Sequence, residues 1–69
     1  MWIKTVDDEV INLDNIVEIR ATYFKGELKY TVVEAVSVND QTYFLWQHEG
    51  EAVTMAKEWI NEHILKNTR

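Results

Sequence analysis

The stretch QTYFLWQHEGEAVTMAKEWI, residues 41–60, changes its period half-way along. From Gln41 to His48, Tyr43 and Leu45 alternate with Phe44 and Trp46, the two-residue repeat of a β-strand. From Glu51 onward the apolar residues fall at Ala52, Met55, Ala56, Trp59, Ile60 and Ile64. Spacings of three and four residues put these side chains on one stripe of an α-helix. The helix is predicted from about residue 51 to about 66, fraying at Asn67. Gly50 is a tolerable N-cap, and Glu49 and Glu51 suit the positive end of the helix dipole. Lys66 and Arg69 suit the negative end, and Glu62 and Lys66 stand in the favourable i, i+4 order. Trp59, at the centre of the stripe, is expected to be among the most buried side chains.

Working back from this point, LKYTVVEAVSV (28–38) is long for one strand. Leu28, Tyr30 and Val32 share a face. Beyond Val32 the alternation falters, and a bulge near Val33 or Glu34 would account for the shift of phase. KGE (25–27) is the clearest turn, with Gly26 suited to positive φ. IVEIRATYF (16–24) carries Val17, Ile19, Ala21 and Tyr23 on one face and Glu18, Arg20 and Thr22 on the other. WIKT (2–5) and EVIN (9–12) read as a hairpin with a turn of two or three polar residues. Asn39 and Asp40 turn the chain before the fifth strand.

The predicted architecture is α+β: a five-stranded antiparallel meander, curled, with one C-terminal α-helix packed on it. Strands are expected at about 2–5, 9–12, 16–24, 28–38 and 41–48, within a single domain covering 1–69. Short connections between strands enforce antiparallel pairing. A chain of 69 residues buries only about 60% of the surface its unfolded form exposes. The absence of cysteine removes disulfides and thiolate metal sites as staples.

A net charge of −5, from 7 basic and 12 acidic groups, repels phosphate backbones and argues against a nucleic-acid partner. No apolar run approaches the ~20 residues that span a bilayer. The N-terminal MWIKTVDD lacks the apolar centre of a signal peptide. A cytoplasmic address without membrane contact is the expectation.

The densest acidic cluster is Asp7, Asp8, Glu9 and Asp14. A calcium loop requires spaced carboxylates and a central glycine, whereas adjacent strand residues point to opposite faces. The cluster therefore reads as a solvated turn, with Asp14 and Asn15 bonding their own backbone. Ser37 is the only serine, and no acid–histidine pair is readable around it. His63 reads as a packed histidine. No phosphate-binding glycine loop or HExxH motif occurs. No enzyme, cofactor or metal site is expected.

MWIKT, a short polar turn, VINLDNIVEI and EGEAVTMAKEWI together resemble a class of small bacterial and phage single-domain proteins with no assigned activity. The matching positions are Trp2, Ile11, Asn12, Leu13, Ile16, Glu51 and Ala52. The resemblance implies a β-rich domain with a terminal helix and implies no activity. Members often have a glycine in the first hairpin, where this chain has Asp8-Glu9.

One helix covers one face of a sheet, yet the fourth and fifth strands are apolar on both. Tyr43, Phe44, Leu45 and Trp46 are accordingly the candidate interaction residues. The leading expectation is a non-catalytic protein-interaction module, a homodimer or the partner of another protein. The alternative is a small-ligand site inside the curled sheet, lined by Tyr30, Tyr43, Phe44 and Trp46. Trp2 is expected to close the end of the core, with a contact anchor as the other reading.

Overall fold

The change of period at residue 50 is a change of element. In the computed structural model, which describes residues 1–66, the last strand ends at Glu49 and the helix begins at Val53. The order is β1 (Trp2–Lys4), β2 (Val10–Asn12), a 3₁₀ turn (Leu13–Asn15), β3 (Ile16–Lys25), β4 (Lys29–Ser37), β5 (Thr42–Glu49) and α1 (Val53–Ile60), continued by a π-helical turn (Asn61–Leu65). The fold is α+β, with antiparallel sheets and one C-terminal helix. The helical run ends at Leu65 with Lys66 as its C-cap, close to the expected end at about residue 66; the fraying at Asn67 and the cation at Arg69 lie outside the described residues.

The five strands do not form one meander, and no sheet curls. They form two sheets, β1–β2 and β3–β4–β5. The reason lies in the short second strand and the turn behind it. Asn12 Oδ1 accepts from the Asp14 amide at 3.1 Å, which tightens Leu13–Asn15 into a 3₁₀ turn and swings β3 away from β2. The hairpin instead meets the free edge of β5, where the Val6 amide donates to the Phe44 carbonyl at 2.8 Å. Its inner residues Ile3 and Ile11 reach the main core.

The hairpin turn is longer than the sequence suggests. Lys4 pairs with Val10, leaving the five residues 5–9 to turn the chain. Thr5 organises them. It is buried, and its hydroxyl oxygen accepts from the amides of Asp7 and Glu9 at 3.2 and 3.1 Å. Asp8 stands at φ 65°, the left-handed region that glycine enters most easily. Gly26, by contrast, does not adopt positive φ; three residues, Gly26, Glu27 and Leu28, bridge the pair Lys25–Lys29.

The phase shift in β4 is real, but its origin is on the neighbouring strand. Val33 pairs with Trp46 and Glu34 pairs with Phe44. Leu45 is therefore the extra residue of a bulge carried by β5. The bulge puts Tyr43, Leu45 and Trp46 all on the core side, where a strict alternation would have sent Trp46 to the opposite face. A second bulge at Val17, between the pairs Ile16–Ser37 and Glu18–Val36, leaves Val17 exposed rather than in the apolar row of β3.

The core lies between the β3–β4–β5 sheet and the helix. Val33, Ala35, Leu45, Ala56 and Ile64 are its buried centre, with Ile19, Ala21, Trp59 and Ile60 packed around them. The helix stripe is narrower than predicted. Ala52, Ala56 and Ile64 are buried, Trp59 is only half-buried, and Met55 is exposed. The wider π turn, in which the Lys66 amide reaches the Asn61 carbonyl at 3.0 Å, swings Ile64 toward the sheet. Lys66 Nζ meets Glu62 Oε1 at 3.3 Å, as their spacing suggests.

Gly50 does not cap the helix. At φ 80° it turns the chain after β5, and Ala52 takes the N-cap position without a side-chain bond of its own. Two other groups supply the missing acceptors. Glu51 Oε1 accepts from the Val53 amide at 2.7 Å, and Thr31 Oγ1 accepts from the Ala52 amide at 2.8 Å. Among the described residues no helix is long and apolar enough to cross a membrane.

Candidate functional site

The helix and hairpin pack on one face of the main sheet, the face of Val33 and Ala35. Cross-strand pairing defines the other. On it lie Glu18, Arg20, Thr22 and Phe24 of β3, Tyr30, Val32, Glu34 and Val36 of β4, and Thr42, Phe44, Gln47 and Glu49 of β5. This face is the candidate functional site.

Its centre is polar and fixed. Arg20 stands opposite Glu34 across the β3–β4 ladder. Its Nη1 donates to Glu18 Oε1 at 3.2 Å, and its Nη2 lies 3.6 Å from Glu34 Oε2. The hydrogen bond that Arg20 donates to Glu18, then the charges of Glu18 and Glu34, hold the guanidinium above its ordinary pKa. Glu34 is buried although no helix covers it. The arrangement ties β3 to β4 and fixes one positive and two negative groups in the middle of the face.

Around this centre apolar side chains alternate with Thr22, Thr42, Gln47 and Glu49. The rings of Phe24 and Tyr30 stack with centroids 5.1 Å apart, and Val32, between Thr22 and Gln47 in register, is fully buried. Phe44 lies beyond Glu34 on the next strand and is half-buried. Tyr30 and Phe44 border a groove of about 720 Å³, with Leu28, Gln47 and Glu49 on its sides.

Of the four interaction residues expected from sequence, only Phe44 belongs to this face. Leu45 is buried in the core. Trp46 packs on the core and stacks on His48, with centroids 5.7 Å apart. Tyr43 packs on the same side, and its hydroxyl donates to Gln41 Oε1 at 2.7 Å. Tyr30 and Phe44 are therefore separated by the sheet from Tyr43 and Trp46, and the four do not line one pocket.

The acidic cluster is spread out. Asp8 pairs with Lys4 at 3.1 Å, and Asp14 lies 3.8 Å from the N-terminal ammonium. Among the described residues no three histidine, aspartate or glutamate side chains are grouped so as to hold a metal ion. Ser37 organises the β4–β5 turn, its hydroxyl oxygen accepting from the Asn39 and Gln41 amides at 3.3 and 3.2 Å. The His63 ring lies against Trp59, with centroids 4.8 Å apart. Trp2 does not close the core; it is exposed, beside the cleft between the hairpin and the β4–β5 turn.

Sequence reasoning passed over Arg20 and Glu34. A signal for them was present, since both stand at polar positions of β-branched runs, but their pairing depends on register. Comparison with known proteins finds no matching family model, no matching curated protein and no matching solved structure.

Proposed function

We propose that this chain is a small non-catalytic interaction module that works as a homodimer, a regulator rather than an enzyme, with the open face of the β3–β4–β5 sheet as its contact surface. One observation carries the reading. Phe24, Tyr30 and Phe44 remain half-buried on a face that the helix and the hairpin leave uncovered. Full burial of a large exposed side chain gains about 1.5–3 kcal/mol, and the half of each ring still in water forgoes roughly half of that. A second copy removes that cost symmetrically, because a two-fold axis uses one patch twice.

The charge pattern suits this partner. Each face carries Arg20 beside Glu18 and Glu34. A two-fold axis near the centre brings the guanidinium of one copy toward the carboxylates of the other. A heterologous protein partner would use the same face.

Isotope-filtered NMR on a mixed labelled and unlabelled sample tests the location. Intermolecular contacts at Phe24, Tyr30 and Phe44 are expected. Contacts confined to the helix or to the outer edge of β3 would overturn the assignment of this face.

A further inference from the structure

We infer that the cleft between the N-terminal hairpin and the β4–β5 turn binds a neutral sugar ring. The cleft measures about 410 Å³, within the range of small-molecule sites and large enough for a mono- or disaccharide. The inference does not depend on the dimer, which uses the other side of the sheet.

The lining has an unusual chemistry for this chain. Of 69 residues, 7 are basic and 12 acidic, yet no charged side chain lines the cleft. Instead Asn12, Asn15, Asn39 and Gln41 all do so, four of the seven carboxamides in the sequence. Asp14, next to Asn15, is engaged by the N-terminal ammonium. A phosphate or carboxylate ligand finds no cation here and meets a net charge of −5. An ammonium ligand finds no anion in the lining.

The polar groups offer more donors than free acceptors, although among the described residues Asn15 and Asn39 Oδ1 also remain open to a ligand hydroxyl. Asn12 Oδ1 is occupied by the Asp14 amide, and Gln41 Oε1 by the Tyr43 hydroxyl. Among the described residues the side-chain nitrogens of the four carboxamides make no hydrogen bond within the chain, so their N–H groups face solvent or a ligand. Each NH₂ offers two donors. The complementary ligand is neutral and rich in oxygen acceptors.

Aromatic surface completes the site. Trp2 is 67% exposed, and its indole borders the cleft with Tyr43. An exposed Trp offers a large apolar face and one N–H donor. A sugar ring matches both halves of this pattern: its C–H face stacks on an aromatic ring while its hydroxyl and ring oxygens accept from amides. Trp2 supplies the platform, and the four carboxamides fix the orientation.

The test is a titration of the full chain, followed through backbone, side-chain amide and indole N–H signals. The probes are glucose, N-acetylglucosamine, maltose and cellobiose, with glucose 6-phosphate and triglycine amide as controls. At least one neutral sugar is expected to give saturating shifts at the Trp2 indole and the four carboxamides. A preference for the disaccharides points to a glycan chain, and equal binding of glucose points to a free monosaccharide. Trp2→Ala is expected to weaken binding about tenfold or more while leaving the β3–β5 signals in place, and Asn39→Ala to weaken it as well. The proposal is overturned if no neutral sugar saturates these signals. Tighter binding of glucose 6-phosphate or triglycine amide, or unchanged affinity in Trp2→Ala, also overturns it.

Discussion

Thr31 and Ala52 join the sheet to the start of the helix. Thr31 Oγ1 accepts from the Ala52 amide at 2.8 Å and donates to the Gly50 carbonyl at 2.8 Å. Thr31 is fully buried in the central strand. One hydroxyl thus satisfies a donor and an acceptor that the chain reversal leaves without backbone partners.

Thr31→Val keeps the shape of that side chain and deletes both bonds. A buried amide and a part-buried carbonyl then lose their partners, at about 1–3 kcal/mol for a buried group left unsatisfied. Urea denaturation should show a loss in that range with an unchanged m-value. A loss below about 0.5 kcal/mol would mean that water replaces the hydroxyl and that the junction is not sealed.

Trp59 gives a contrasting case. Fully buried aromatic rings cost about 3–5 kcal/mol when cut to alanine, but Trp59 is half-buried and rests on the His63 ring. Trp59→Ala should cost about 2 kcal/mol, leaving a folded protein. Unfolding of the variant at room temperature would show that the ring holds more of the core than its exposure indicates.

The hairpin tip supplies a substitution expected to help. Asp8 sits at φ 65°, where an L-residue pays a steric cost that glycine avoids. Its ion pair with Lys4 is exposed on both sides and contributes little. Asp8→Gly should raise stability by about 0.5 kcal/mol, whereas Asp7→Gly, without positive φ, should not. Destabilisation by Asp8→Gly beyond that of Asp7→Gly would contradict the strained-turn account.

Arg20 has a pH signature. Its pKa is raised in the folded state by Glu18 first and Glu34 second. Such a shift stabilises the fold at every pH below the unfolded value and is lost only as pH climbs through the raised one. The difference in melting temperature between the protein and Arg20→Gln should therefore stay constant from neutral pH to about pH 10. A difference that disappears inside this window would place the source of the stabilisation elsewhere.

The parts of the fold that rest on local periodicity are legible in the sequence. The switch from strand to helix around residue 50 shows in the spacing from Tyr43 to Ile60, and the faltering alternation after Val32 marks a bulge. Sequence does not say which strand carries it, because register belongs to a pair; the extra residue is Leu45, and this moves Trp46 to the core side. The split into two sheets is also hidden. It follows from a three-residue strand and an Asn12 side-chain bond that together redirect β3. The open face was visible only in Phe44, because the β5 bulge sends Tyr43, Leu45 and Trp46 to the core side. Its polar centre was not, since Arg20 meets Glu34 only through the β3–β4 register. Trp2 and its carboxamide neighbours were dispersed over residues 2–41 and converge only when the hairpin folds back on the β4–β5 turn.

Sedimentation equilibrium at micromolar concentration tests the central claim most directly. A dimer built on the open face should give twice the 8.2 kDa of one chain, and Phe44→Glu, which adds a charge beside Glu34, should return the mass to that of a single chain. A wild-type mass of 8.2 kDa across the whole concentration range would contradict the account.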